Sequence, residues 1–135
     1  MSLLLDTHAL VWWLLAPDRL SKRAHDAIRN GGTTAYVSTV SIYEIDYRRA
    51  KARAAGLRAQ DSLLLRMPAN MPANLPLLDL TLLDVTAEAA WRAARLPLHH
   101  RDPWDRILVA QANLLDVDLV TSDSQMALYD VDILW

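Results

Sequence analysis

The sequence predicts an α/β fold, with helices covering both faces of a parallel sheet, and three observations predict it. Leu3-Leu4-Leu5 is an apolar run too short for a helix, closed by Asp6-Thr7 and followed at once by helix-forming residues, the pattern of a buried parallel strand turning into a helix. Short apolar runs then alternate with longer helical patterns along the chain, the order that produces parallel strands joined by crossover helices. Finally, 53% of the 135 residues are hydrophobic, enough for one domain over residues 1–135 to bury a core.

The elements follow in order. After the first strand, residues 8–16 carry Leu10, Val11, Leu14 and Leu15 with Trp12 and Trp13, a helix that Pro17 ends. Ser21 caps a second helix through Ala24, Ala27 and Ile28, which stops at Gly31-Gly32. Ala35-Tyr36-Val37 is a second strand, and Ser38-Thr39-Val40-Ser41-Ile42-Tyr43-Glu44-Ile45 opens a long helix running to Gly56. Residues 61–67 allow a further helical turn or two. Met67-Pro68-Ala69-Asn70 then repeats as Met71-Pro72-Ala73-Asn74, with Pro76 close behind, and this density of Pro and Asn predicts a loop. Leu82 to Val85 reads as the third strand, and Thr86 caps a helix through Ala90, Trp91 and Ala94. A connecting loop holds His99-His100. The next helix has Asp102 as N-cap, Pro103 at its first position and Asp105 in its first turn; it ends at Asp116. Leu119-Val120-Thr121 is a fourth strand, closed by Ser122-Asp123. A last turn near Met126 to Tyr129 leads to a fifth strand at residues 131–134.

Composition narrows the chemistry. There is no cysteine, which excludes disulfides and thiolate metal sites and fits a reducing compartment. No apolar run is long enough to span a bilayer, and no basic region precedes the first leucines as in a secretory signal, so a cytoplasmic protein without membrane partners is expected. The formal net charge is −2, so a nucleic-acid partner must be drawn by a local patch.

Four acids stand out by position. Asp6 ends the first strand, Glu44 lies in the first turn of the helix after the second, Asp105 opens the helix before the fourth, and Asp123 follows the fourth. In a three-layer α/β/α fold all four face the edge where open sheets bind ligands. Carboxylates held that close raise one another's pKa and destabilise the fold unless a cation neutralises them. Mg2+ and Mn2+ suit such all-oxygen sites, and a hard divalent ion both activates water and supports charge on a phosphodiester under in-line attack. Each acid also has a simpler reading. Asp6 alone is more simply a helix N-cap; Ser41 to Glu44 has capping-box spacing; Asp102 and Asp105 both complement a helix N-terminus; Asp123 can begin a turn.

The motifs Leu3-Leu4-Leu5-Asp6-Thr7-His8, Val37 through Ser41-Ile42-Tyr43-Glu44-Ile45, His99-His100-Arg101-Asp102-Pro103-Trp104-Asp105 through Ala112, and Leu119-Val120-Thr121-Ser122-Asp123, with the terminal Ile133-Leu134-Trp135, resemble those of PIN-domain proteins. Within that superfamily they look like the VapC toxins of bacterial toxin–antitoxin pairs. The resemblance spans the chain, and only residues 52–80 depart from it, where the Pro-Asn repeat looks like a local insertion. It implies a parallel sheet of strand order 3-2-1-4-5 and Mg2+- or Mn2+-dependent endoribonuclease activity leaving a 5′-phosphate and a 3′-hydroxyl. It also implies a homodimer, and inhibition by a cognate antitoxin that wraps the toxin. The family's catalytic and metal-binding acids fall on Asp6, Glu44, Asp105 and Asp123, while Asp102 matches the family's helix-opening Asp-Pro and is assigned to capping.

Two other functions stay open. One is a non-catalytic PIN-like module binding RNA or protein; four intact acids argue against it. The other is a metal-dependent phosphatase with Asp6 as phosphoryl acceptor, which lacks a general-acid Asp in Thr7-His8-Ala9-Leu10. Among polar neighbours, Thr121 can orient a carboxylate, whereas Thr7 is expected to bond backbone. His99 and His100 are expected at the surface, outside the four-acid site. Arg106 is expected in a salt bridge, with a phosphate contact as the alternative. Arg48, Arg49, Lys51, Arg53 and Arg58 form a run that is either a solvated face or a wall for an RNA backbone. The five tryptophans are too scattered for a base-stacking platform. Trp12 and Trp13 point apart, one into the core and one outward on a face suited to an antitoxin helix or a second subunit.

Overall fold

Leu3, Leu4 and Leu5 are fully buried at the centre of the sheet, and their alternation distributes them between two cores. The computed structural model describes residues 1–135. Strand β1 (Ser2–Leu5) pairs in parallel with β2 (Thr34–Ser38) on one side and β4 (Asp118–Val120) on the other; β3 (Leu80–Leu83) and β5 (Ile133–Leu134) take the edges. The order is 3-2-1-4-5 with every pairing parallel. Leu3 and Leu5 face a core shared with Leu10, Val11, Ala24, Ile28 and Ile45, from helices α1 (Thr7–Leu15), α2 (Lys22–Arg29) and α3 (Thr39–Ala54). Leu4 and Leu119 face the opposite side, against Leu108, Val109 and Ala112 of α6 (Pro103–Leu115), which packs on α5 (Ala87–Arg95). Helices cover both faces, as strands this uniformly apolar require.

Register positions the site. Leu5 lies level with Val37 and Val120, so Asp6, Ser38 and Thr121 leave the sheet side by side. The backbone N–H of Asp6 still donates to the Val120 carbonyl at 3.0 Å, extending the ladder one residue into the crevice.

Four local expectations are corrected. The third strand begins and ends two residues earlier than expected: β2 turns into a helix after Ser38, the partner of Leu83, so Asp84 and Val85 have nothing to pair with. The Pro-Asn repeat is not all loop. Met71–Asn74 forms a turn of helix, α4, in which the Asn70 side chain accepts from the Ala73 N–H and Pro72 sits at the second position, where a missing N–H costs nothing. Met67, Met71 and Leu75 anchor this segment in the core, and the Arg49 guanidinium donates to the carbonyls of Met67 and Pro68 at 2.9 and 2.8 Å. Arg49 is therefore 1% exposed and no part of a basic wall, and Arg58 lies beyond the end of α3. Trp12 and Trp13 are both half-buried, not one in and one out: Trp12 packs beside His8 and Trp135, Trp13 beside His25.

Arg106 is a structural cap and contacts no carboxylate. Buried behind α6, it donates to the carbonyls of Ala93, Leu96 and Pro97 at 2.8 to 2.9 Å and to the Tyr129 hydroxyl at 3.2 Å. Its charge meets the negative end of α5, serving the Leu96 and Pro97 carbonyls just beyond the helix and adding a second donor to Ala93, which also accepts the Leu96 N–H at 3.3 Å. Arg106→Met removes a charged donor from these carbonyls and from the Tyr129 hydroxyl, so urea unfolding should show a loss of about 1.5 to 3 kcal/mol; a loss under about 0.5 kcal/mol would show the cap to be dispensable.

Candidate metal centre

Nine residues line a small crevice of about 80 Å³ at the carboxyl edge of β1 and β4, none of them hydrophobic: Asp6, Thr7, His8, Glu44, Arg48, Asp102, Asp105, Ser122 and Asp123. All four acids singled out by position are among them. They arrive on four different segments, and each is held by a local rule.

Asp6 ends β1 and does cap α1, accepting the Ala9 N–H at 2.7 Å. Capping and crevice lining coexist because only one carboxylate edge serves the helix. Glu44 sits in the second turn of α3, not the first. Ser38 is the N-cap, its hydroxyl accepting from the Val40 N–H, so the capping box from Ser41 to Glu44 does not form. Glu44 instead accepts the Thr7 hydroxyl at 2.7 Å on one oxygen and pairs with Arg48 at 2.8 Å on the other. Thr7 thus serves a side chain rather than backbone, contrary to expectation. Asp102 caps α6 through the Trp104 N–H at 2.9 Å, as its Asp-Pro context indicates, yet it also faces the crevice. Thr121 accepts the Asp123 N–H at 3.0 Å, fixing the turn that points Asp123 back over the sheet.

The residue that sequence reasoning missed is His100. Its Nε2 lies 3.1 Å from an Asp105 oxygen and 2.9 Å from an Asp123 oxygen, and the donor atoms of these three residues all fall within 4.8 Å of one another. Its Nδ1 accepts the Asp102 N–H at 3.1 Å, so in the neutral ring the proton belongs on Nε2, shared between the two carboxylates. In this tautomer His100 orients the two acids as a donor. Its backbone N–H donates to the Tyr129 hydroxyl at 2.8 Å, tying the loop to the body of the protein. A His in a polar loop carries no local signal of this; only its place after α5 brings it to the acids.

The electrostatics are those of crowded carboxylates. Burial pushes the Asp105 carboxyl up to about 7, helped by the charge of Asp102, opposed by His100, and raised further by Glu44 and Asp6. Asp6 is also raised, by burial first, against hydrogen bonds from Thr121 and Ala9 that lower it. The potential donors are mainly carboxylate oxygens, with the His100 imidazole beside two of them and no thiolate, and that chemistry fits a hard divalent ion such as Mg2+ or Mn2+. Asp105 and Asp123 cluster with His100, while Asp6 and Glu44 line the same crevice outside that group.

A five-stranded parallel sheet in this order, with acids gathered at its carboxyl edge, defines a class, and comparison with known proteins gives its name. The family model of the PIN domain matches residues 3–133, and the chain belongs to that family. No curated protein sequence matches it. Among solved structures, a chain of VapBC2 from Rickettsia felis, crystallised bound to a DNA fragment from the VapBC2 promoter, has a similar fold: TM-score 0.68 at 16% identity, over 98% of this chain and 96% of that one.

Proposed function

We propose that this chain, as one PIN domain across residues 1–135, is a Mg2+- or Mn2+-dependent endoribonuclease, the toxin of a toxin–antitoxin pair acting in the cytoplasm. The observation that carries the reading is the all-polar crevice in which Asp6, Glu44, Asp105 and Asp123 converge. A non-catalytic binding module would have no use for several carboxylates brought together where burial, and then the charge of acidic neighbours, pushes one of them up to about 7.

When bound, a divalent ion supplies the positive charge that acidifies water and offsets negative charge developing on a phosphodiester. Asp105 and Asp123 would hold it, with Asp6 and Glu44 completing the acidic wall. Thr7 and Arg48 lock Glu44 in one orientation, and His100 aligns Asp105 with Asp123, so the acidic edge is preorganised before substrate arrives. The similarity to a VapBC2 chain supports a cognate antitoxin as partner, and the family resemblance supports a homodimer.

The test is direct: mixed single-stranded RNA incubated with Mg2+, with Mn2+ and with EDTA, beside a generic phosphomonoester. Metal-dependent RNA cuts with no phosphomonoester turnover are expected. Phosphomonoester hydrolysis without RNA cleavage would replace this reading with the phosphatase.

A further inference from the structure

We propose that Tyr43, Tyr47 and Trp104 form a stacking surface that seats unpaired nucleobases at the mouth of the acidic crevice. The inference rests on the endoribonuclease reading and gives its strand a specific seat.

Three aromatic rings come together from two helices, α3 and α6. Tyr43 and Tyr47, one turn apart on α3, lie with ring planes 8° apart and centroids 5.9 Å apart. Trp104, from the first turn of α6, lies 5.2 Å from Tyr43. Large aromatic surface is ordinarily placed in a core, yet Tyr43 and Tyr47 are 53% and 54% exposed. The tyrosines face a depression of about 430 Å³ that continues into the crevice: Glu44, Arg48 and Asp102 line both. In the chain, Tyr43 adjoins Glu44 and Trp104 adjoins Asp105, so two of the three rings sit one residue from an acid of the crevice.

The chemistry of the occupant follows from what surrounds the rings. Lys51 lies 5.7 Å from the Tyr47 ring centre, and Lys51, Arg48 and Arg101 line the same depression. Aromatic faces flanked by cations are the combination that holds single-stranded nucleic acid, bases on the rings and phosphates on the cations. A second argument comes from the charge of the chain. A phosphodiester brought over four carboxylates is repelled, and a protein of net charge −2 exerts no general attraction to compensate. Affinity must then come from contacts that do not depend on net charge, and stacking is such a contact.

The experiment measures binding without catalysis. Fluorescence anisotropy in EDTA compares a labelled single-stranded RNA decamer with an abasic decamer of the same length, for the wild type, Tyr43→Leu/Tyr47→Leu and Tyr43→Phe/Tyr47→Phe. The wild type should prefer the base-bearing strand, the leucine variant should lose roughly tenfold or more of that preference, and the phenylalanine variant should restore it. Circular dichroism and light scattering on each variant accompany the titrations. Equal binding of both decamers by the wild type, or an unchanged preference in the leucine variant, overturns the proposal. A leucine variant that keeps its RNA preference but changes its association state would make this surface a protein interface instead. Because the readout needs no cleavage, the platform can fail while the nuclease stands, and the reverse.

Discussion

Asp105→Asn should lower metal-dependent RNA cleavage by about a hundredfold or more while the protein stays folded, because changes merely behind a metal ligand already cost about 10- to 100-fold. The substitution keeps the size of the side chain and removes one negative oxygen from the group that Asp105 forms with Asp123 and His100. Asp102→Asn is the internal control. Asp102 caps α6 through the Trp104 N–H, and Asn caps nearly as well, so the fold should weaken by a few tenths of a kcal/mol or so. The control is more informative than a plain cap mutant, because the charge of Asp102 is the largest electrostatic influence raising Asp105. Removing it should lower the Asp105 pKa and move the acid limb of the pH–rate profile to lower pH, with the plateau rate retained. Full activity in Asp105→Asn with complete loss in Asp102→Asn would place the catalytic acid on the other residue, and activity in both would remove the mechanism.

Metal and pH should act on stability in opposite directions. Asp105 titrates at about 7 in the fold and near the ordinary carboxylate value when unfolded, so between those values the folded state binds the extra proton. Stability of the metal-free protein therefore falls as pH rises from about 4 to 7, with Asp6, also raised, contributing in the same sense. A divalent ion needs the deprotonated acids and so binds more tightly across the same interval. Mg2+ at about a hundred times its dissociation constant adds about 2.7 kcal/mol, a rise in Tm on the order of 10 °C, and the rise should grow from pH 5 to about pH 8. Asp6→Asn preserves the α1 cap, relieves repulsion in the metal-free protein and shrinks the response to metal. Calorimetry across pH with and without Mg2+ reads all of this; a Tm indifferent to divalent ions at concentrations that support cleavage would separate the acids from any shared cation.

What the sequence made legible was whatever a local rule controls. The buried strand ending at Asp6, the Ser21 and Thr86 caps and the Asp102-Pro103 helix start are all specified by neighbours in the chain, and they stand where expected. The strand order was legible through the family resemblance rather than through spacing. Misread positions were those whose partners are distant. His100 reaches Asp123 across 23 residues, and Arg106 looks polar until the end of α5 is seen to need its donors. Trp104 is one of five scattered tryptophans by sequence, and becomes part of an aromatic group only when α3 and α6 bring it to Tyr43. In α4 the error had another source: Pro and Asn were weighed as loop formers, although Asn70 as cap and Pro72 at the second position are what a helix start selects.

The pairing of β1 with β4 gives the molecule a schedule. The central strand is made first, but its second partner lies at Asp118–Val120 and the last acid at Asp123, more than a hundred residues later in synthesis. Until that stretch emerges, one edge of β1 lacks its ladder and Asp6 faces no Asp123. No partial chain that stops short of Asp123 holds the complete set of acids, so the acidic edge on which the proposed nuclease depends is assembled only after that residue has been made.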